Sequence, residues 1–402
     1  MTEAERSHEV DADRDEQRRQ LAVLALALVL AMSTWFSTAA VLDQLRDEWD
    51  LSRAEGSWLT IVVQLGFVVG AVGSAAPNLA DRVNPRRLIA IGAALAASMN
   101  ALVVVGDGFE PGLLTRFLTG AALALVYPPA LKAMSSWYRR GRGWALGVMI
   151  AALTVGSALP HLLNAVGGLD WRLTLYLASG LTILGGLVAE VGGSDGPFSA
   201  PSAPFDPSQL RALADNRPFR LASLGYFGHM WELYAMWAWM AAFYGDVFES
   251  DRAASATAFA VIAIGALGSM YAGSVSDRTS RAGAAGTAMR WSAATALITG
   301  FLVDAPGPIV VGLGLIWGFW VVADSAQFST IVTEVSAPDY VGTALTVQLA
   351  IGFVLTVFTI FLVPVVRDAV GWGWAFALLA PGPIIGAAAM SRLERSNADV
   401  GA

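Results

Sequence analysis

The sequence predicts an all-α integral membrane protein of twelve transmembrane helices, arranged as two pseudo-symmetric six-helix bundles. Three observations predict it. The 402 residues are 55% hydrophobic and only 14% charged, with a mean hydropathy of +0.57, whereas a soluble domain carries roughly 25% charged residues. Apolar stretches of about 20 residues, the length that crosses a bilayer, recur along the chain between short polar connectors. A polar signature also occurs twice. Pro77–Arg87 reads PNLADRVNPRR and Gly273–Arg281 reads GSVSDRTSR, each directly after a long apolar run and about half a chain apart. Such a duplication marks an internal repeat and is typical of solute carriers.

Residues 1–19 form a polar N-terminal tail. The apolar run from Leu21 is too long for a signal-peptide core, and the charges before it are mixed in sign, so it is the first permanent helix. Hydropathy, with Gly, Pro and charge as punctuation, sets the N-terminal bundle (20–192) as α1 20–42, α2 55–76, α3 86–106, α4 110–134, α5 141–165 and α6 171–192. Residues 193–217 are rich in Pro, Ser, Ala and Gly and read as a linker, with a short surface helix at 207–215. The C-terminal bundle (218–392) follows as α7 218–245, α8 253–276, α9 285–304, α10 307–334, α11 340–367 and α12 371–392, with 393–402 a polar tail. The connectors 106–111 and 304–308 each hold Gly, Pro and an acid, which suits tight hairpins. Further echoes support the repeat. Gly143-Trp-Ala-Leu146 opens α5 much as Gly342-Thr-Ala-Leu345 opens α11, and Asp170-Trp-Arg-Leu before α6 is loosely matched by Trp372-Gly-Trp-Ala before α12.

Orientation follows from the basic residues, of which Lys132 is the single lysine among 25. Arg46, Arg53, Arg172, Arg252 and Arg367 fall on one side. The others, apart from intramembrane Arg116, fall on the side that holds both termini and the linker. The positive-inside rule makes that side cytoplasmic, which predicts a multi-pass protein of the cell membrane whose surroundings are the lipid bilayer.

Composition also excludes. With no cysteine there is no disulfide, thiol catalysis or cysteine metal site. Three histidines, His8, His161 and His229, leave no histidine metal cluster. The net charge is −7 and no basic stripe with interleaved aromatics occurs, so no nucleic acid is expected. There is no GxxxxGK[ST] phosphate loop, and no paired-carboxylate or serine–histidine constellation near one interface. An enzyme, a metal and a cofactor are therefore not expected.

With its two loop signatures in place, the chain resembles the major facilitator superfamily. That family's loop after the second helix reads Gly-x-Leu-Ala-Asp-Arg-x-Gly-Arg-Arg. This chain supplies Leu79, Ala80, Asp81, Arg82, Arg86 and Arg87, with Pro77 and Asn84 in place of the two glycines and an extra Pro85. The second copy keeps Gly273, Asp277, Arg278 and Arg281. On α4, Arg116-Phe-Leu-Thr-Gly120 resembles the family's intramembrane Arg-x-x-x-Gly. On α5, Gly147, Gly156 and Pro160 resemble the antiporter motif, although Pro160-His161 and Asn164-Ala165 replace its Gly-Pro and Gly-Gly. The resemblance implies a central cavity lined by α1, α4, α7 and α10, and cytoplasmic gating by the Asp81 and Asp277 loops, Asp81 above all, through acid–helix-end and arginine contacts across the halves. The nitrate carriers of the family bear substrate arginines on the second and eighth helices. Here the cores of those helices hold none, which argues against nitrate.

Charge at mid-bilayer costs at least about 2.5–3.5 kcal/mol, so each instance needs a reason. Arg116 on α4, His229 and Glu232 on α7, and Asp324 on α10 all fall on the cavity helices. His229 and Glu232 share one helix face, with Tyr226 one turn before them. Glu232 is the candidate proton carrier, and His229 its neighbour or a satisfied core group. Arg116 is the candidate clamp for an anion, or a structural arginine paired with Glu232 or with backbone carbonyls. Asp324 and Gln327 share a face of α10, and Trp35, Trp237 and Trp317 are candidate cavity walls. Gln64, Asn100, Asn164 and Gln348 read as helix–helix hydrogen bonds.

These readings predict a monomeric secondary transporter working by alternating access. It would import a small organic anion with protons, sodium being the other candidate coupling ion. The alternative is proton-driven efflux of amphipathic compounds. A non-transporting sensor or a membrane enzyme is the remote alternative.

Overall fold

The computed structural model describes residues 3–106, 108–139, 141–167, 170–198 and 205–400. Residues 1–2 and 401–402 of the expected tails, and 199–204 of the expected linker, lie outside that set. Helices dominate, and no strand occurs among the described residues. In order they are α1 Glu3–Ala31, α2 Arg53–Ala75, α3 Pro85–Gly106, α4 Phe109–Leu123 with Tyr127–Ser135, α5 Arg142–Gly167, α6 Trp171–Gly192, α7 Arg217–Val247, α8 Asp251–Ala263 with Gly265–Ser276, α9 Arg281–Thr299, α10 Gly307–Ala323 with Ser325–Val335, α11 Val341–Val370, and α12 Trp372–Ala377 with Pro381–Val400. The expected surface helix is present as a 3₁₀ turn, Pro207–Gln209, running into Leu210–Asp215.

Local chemistry sets the starts. Ser52 and Glu55 form a capping box that opens α2, and Asp170, Asn216, Ser250 and Ser280 cap α6, α7, α8 and α9 with their side chains. The tails differ from expectation, since α1 is already helical from Glu3 and α12 continues to Val400.

Five helices predicted as continuous are broken. α1 gives way at Met32 to two 3₁₀ turns and a short helix, Leu42–Glu48. There the Ser33 and Ser37 hydroxyls donate to the Leu30 and Thr34 carbonyls and compete with the helical ladder. α4 breaks just before Pro128–Pro129 and α12 just before Pro381, because proline lacks the amide hydrogen the ladder needs. α8 breaks at Ile264, before Gly265, and α10 at Asp324.

Nine helices among the described residues are long and apolar enough to cross a membrane, and the bent pair Arg14–Thr34 with Ala39–Glu48, at 49°, makes a tenth. The other two of the expected twelve, α7 and α9, are helices of lower apolarity. α7 carries His229 and Glu232, and most of its length is covered by neighbouring helices. α9 is short and rich in small and polar residues.

Small residues bring helices together. A side chain at Gly66 would run into the Phe117 carbonyl and one at Gly120 into the Val63 carbonyl, so α2 and α4 pack backbone to backbone. Gly228 and Gly382 do the same for α7 and α12. The N- and C-terminal six helices meet chiefly where α5 packs on α8 and α2 on α11. The largest apolar core runs through that meeting.

Candidate transport site

Arg116 is fully buried and spends its guanidinium on the break in α1. Nη1 donates to the Thr34 carbonyl (2.9 Å), Asn100 Oδ1 (2.9 Å) and Ser37 Oγ (3.2 Å), and Nη2 to the Trp35 carbonyl (2.5 Å). Asn100 in turn donates to the Leu175 carbonyl and Ser179 Oγ, tying α3 to α6. The freed carbonyls of a broken helix need donors, and the planar fork of arginine serves several at once. Of the expected roles, the geometry matches pairing with backbone carbonyls. No Arg116–Glu232 pair occurs among the described residues. Asn100 and Ser37 complete this network. The sequence predicts Asn100 as a helix–helix contact, and in the fold it is one that also serves Arg116.

Two polar networks lie in the C-terminal six helices. Glu232 is 1% exposed, and its Oε1 accepts hydrogen bonds of 2.7 Å from Ser292 Oγ on α9 and from Trp317 Nε1 on α10. Trp317 therefore packs inside this half, edge-on to Phe376, rather than walling a cavity between halves. His229 Nδ1 lies 2.8 Å from Asp324 Oδ1, and Nε2 lies 3.1 Å from Ser325 Oγ, at the break of α10. Gln327 is buried with neither end of its amide partnered among the described residues. Tyr226 packs edge-on to Phe328 and against Gly352 of α11. Ser292 and Ser325 carried no signal in the sequence, because serine is common on membrane helix faces.

Between the halves lies an aromatic cluster. Trp35 of the α1 break meets Phe67 of α2 (4.8 Å between ring centres), Tyr234 of α7 (5.7 Å) and Phe353 of α11 (5.8 Å), and Phe36 stands edge-on to Trp237 of α7. All six rings are almost fully buried. Trp35 Nε1, Trp237 Nε1 and both ends of the Gln64 amide have no hydrogen-bond partner among the described residues. Beyond this cluster, at the end opposite the linker, is a cavity of about 100 Å³ lined by Ala39, Asp43, Arg46, Asn164, Trp239 and Asp251, among others. Asn164 bridges the halves there, donating to the Ala40 carbonyl and to Ser255 Oγ of α8.

The repeated loops are used differently. Asp81 pairs with Lys132 of α4, within its own half, while Arg86 donates to the Gly193 carbonyl and Arg87 pairs loosely with Glu190. Asp277 crosses between halves. Its Oδ2 accepts the Trp144 amide at the start of α5 (3.0 Å), and the carboxylate sits where a Gly143 side chain would be. Arg281 pairs with Asp277 (3.5 Å) and Glu334 (2.7 Å). Arg82 and Arg278 are exposed. On α5, Gly147 backs onto the Ser269 carbonyl of α8 and Gly156 onto the Val29 carbonyl of α1. Pro160 lies inside the helix, and His161 is buried with neither ring nitrogen partnered among the described residues.

These features define a multi-pass membrane protein with buried acids in one half and an aromatic seam between halves. The chain belongs to the Major Facilitator Superfamily, whose family model matches residues 24–323. A probable nitrate/nitrite antiporter, NarK1, of Thermus thermophilus is 27% identical over 261 residues, covering 60% of this chain and 56% of that protein. Monocarboxylate transporter 11 of Mus musculus is 27% identical over 204 residues, covering 47% of this chain and 43% of that protein. The match thus spans about half the length of these relatives. The crystal structure of the human organic anion transporter MFSD10 superposes with a TM-score of 0.69 at 15% identity, covering 93% of this chain and 99% of that one. At that identity the likeness is one of fold.

Proposed function

We propose that the protein is a secondary transporter that moves a small organic anion together with protons by alternating access. It sits as a monomer in the cell membrane with both termini and the linker in the cytoplasm. The observation that carries the coupling is the setting of Glu232. It is buried, and its acceptor oxygen is served by two neutral donors, Ser292 and Trp317, with no cation paired to it among the described residues. A buried charge without a counter-charge is costly, and this arrangement lets a proton arrive and leave at the carboxyl while its neighbours stay in place. His229, one turn before Glu232 on α7, lies 2.8 Å from Asp324 of α10 and places a second ionisable pair beside it.

The substrate class rests on the anions named for the two relatives, and on unpartnered donors at the seam. With the Arg116 forks occupied, recognition falls to Trp35 Nε1, Trp237 Nε1 and Gln64, while the surrounding rings suit an apolar body. α2 and α8 carry arginine only in their first turn, Arg53 and Arg252, which favours an organic anion over nitrate.

The test is substrate-dependent pH change inside proteoliposomes, screened over monocarboxylates, with Glu232→Gln and Trp35→Phe as variants. Internal acidification on adding an external carboxylate is expected, abolished by Glu232→Gln and weakened by Trp35→Phe. Alkalinisation of acid-loaded vesicles by amphipathic cations, with no carboxylate response, would replace this reading with efflux, which the aromatic seam would also suit.

A further inference from the structure

One buried titratable side chain has no part in the chemistry described so far. His161 of α5 is fully buried with both ring nitrogens unpartnered among the described residues, and it belongs to the Pro160-His161 pair that departs from the antiporter motif. Contacts on either side of it fix which way it faces. Ser269 Oγ of α8 donates to the Gly147 carbonyl (3.0 Å), and Asn164 Nδ2 donates to Ser255 Oγ of α8 (3.0 Å). At about 100° per residue, His161 falls between Gly147 and Asn164 on one face of α5. It therefore faces α8 of the other half, level with buried Ala258. Along α1, a side chain at Gly156 would meet Val29 and Met32, and Asn164 donates to the Ala40 carbonyl. His161 is thus level with the break in α1 that presents Trp35 and Phe36 to the seam.

One turn further along α5, Asn164 lines the cavity opposite the linker, together with Ala254 and Ser255 of α8 and with Gln44, which donates to Asn164 Oδ1 (3.3 Å). One turn before His161, Ser157 Oγ is buried and likewise unpartnered among the described residues. A polar stripe of α5 thus leads from that cavity to the level of the seam. The elements packed around His161 bring no charge to this level. Residues 32–41 of the α1 break, 253–263 of α8 and 235–243 of α7 hold no titratable side chain. On α7, Tyr234 and Tyr244 bound that stretch, with His229 and Glu232 before it and Asp246 after it. Asp43, Arg46, Asp251, Arg252, Asp170 and Arg172 lie at the cavity end, where Arg252 donates to the Val166 carbonyl of α5. Lys132 and Glu334 belong to the segments Tyr127–Ser135 and Ser325–Val335, which meet the opposite end of α5 near Arg142.

We propose that His161, as an imidazolium, binds the carboxylate of the substrate on its way between the cavity opposite the linker and the aromatic seam. Parting α5 from α8 at that end opens the imidazole to the water of the cavity, from which it takes a proton. An imidazolium sealed between the helices without a counter-charge is costly. A carboxylate supplies that charge and accepts a charge-assisted hydrogen bond from the ring, so this end closes over the pair rather than over the cation alone. The proton leaves to linker-side water with the anion when the other end opens, and the ring returns to its neutral form. His161 in the N-terminal half and Glu232 in the C-terminal half are then separate proton sites. The inference rests on the carboxylate and proton reading of the proposed function and assigns it a binding residue.

The test is uptake of radiolabelled lactate and benzoate by the full chain in proteoliposomes, inserted with both termini inside. An imidazole open to water titrates near 6.5, so its protonated fraction falls about tenfold between roughly pH 5.5 and 7.5. KM of the native chain is expected to rise by about that factor as the external pH is raised across this range. His161→Gln is expected to hold KM at the high value and to shrink the rise to under about twofold. Diethyl pyrocarbonate, which modifies neutral imidazole, reads the same site in the native chain without a substitution. By peptide mass spectrometry His161 is expected to be modified, and saturating lactate or benzoate to slow that modification severalfold. A KM that follows pH equally in native and His161→Gln chains, or a His161 that stays unmodified or is not slowed by a transported carboxylate, would overturn the proposal and leave carboxylate–proton transport standing. No uptake of either carboxylate by the native chain would overturn both.

Discussion

At the scale of single residues, burial is expensive only where a polar group lacks a partner, and this explains the contrast between Arg116 and Glu232. Arg116 holds two carbonyls of the α1 break together with Asn100 and Ser37. Arg116→Leu therefore orphans buried acceptors at about 1–3 kcal/mol each. The expected result is a clear fall in the unfolding temperature in detergent, which Arg116→Lys recovers only in part, because an ammonium cannot span the same acceptors. A melting curve like that of the native chain would show the network to be dispensable. Glu232→Gln should leave the melting curve close to native, since the amide oxygen still accepts from Ser292 and Trp317. Which residues are buried and charged was legible in the sequence from their place in apolar runs. Which partners they take was not. Ser37, Ser292 and Ser325 look like any serine until the fold sets them within hydrogen-bond distance of Arg116, Glu232 and His229.

At the scale of elements, close helix approach and helix breaks decide the architecture. Gly66 and Gly120 let α2 and α4 meet backbone to backbone. Gly120→Val should force these helices apart and sharply reduce the yield of monodisperse protein, whereas Gly73→Ala, where nothing lies near, should be tolerated. Equal yields would show that this crossing does not carry the N-terminal half. The linker between the halves offers a pH prediction. Hydrogen bonds from Ser208 hold the Asp206 carboxyl below the usual carboxylate range. A group lowered in the folded state contributes stability that is present above its unfolded value of about 4 and is lost as pH falls below that. Proteolytic nicking of the linker should therefore rise on acidification below about pH 4, and Asp206→Asn should flatten that dependence. The order of the helices was legible from hydropathy, and nine of the expected twelve spans, or ten with the bent first one, are long and apolar enough to cross a membrane among the described residues. The breaks were legible only where proline marks them, in α4 and α12. In α1 and α10 they lie where Ser33 and Ser37 bond their own backbone and where Arg116 and His229 arrive from other helices, contacts that hydropathy does not show.

At the scale of the whole molecule, the duplicated loops show how a repeat can be preserved in sequence and divided in use. The sequence favoured Asp81 as the gate. In the fold Asp81 pairs with Lys132 inside its own half, and Asp277 reaches across to the Trp144 amide of α5. Asp277→Ala should therefore loosen the linker face more than Asp81→Ala does. A cysteine placed at buried Ser223 of α7 should react faster with a maleimide in the Asp277→Ala background than in the Asp81→Ala background. The reverse order would return the gating role to the first loop. The cavity opposite the linker and the aromatic seam belong to this scale too, because each is built from both halves.

The sequence by itself determined the membrane-spanning helical class, the family and the set of buried ionisable groups. These are local or periodic properties, written in the length of apolar runs, the spacing of motif residues and the rarity of charge within them. The tertiary structure alone decided that Arg116 serves the backbone, that Glu232 is held by neutral donors, and that Asp277 reaches across to the Trp144 amide of the other half. Each of these is a contact between residues far apart in the chain, and its geometry exists only once the helices have packed.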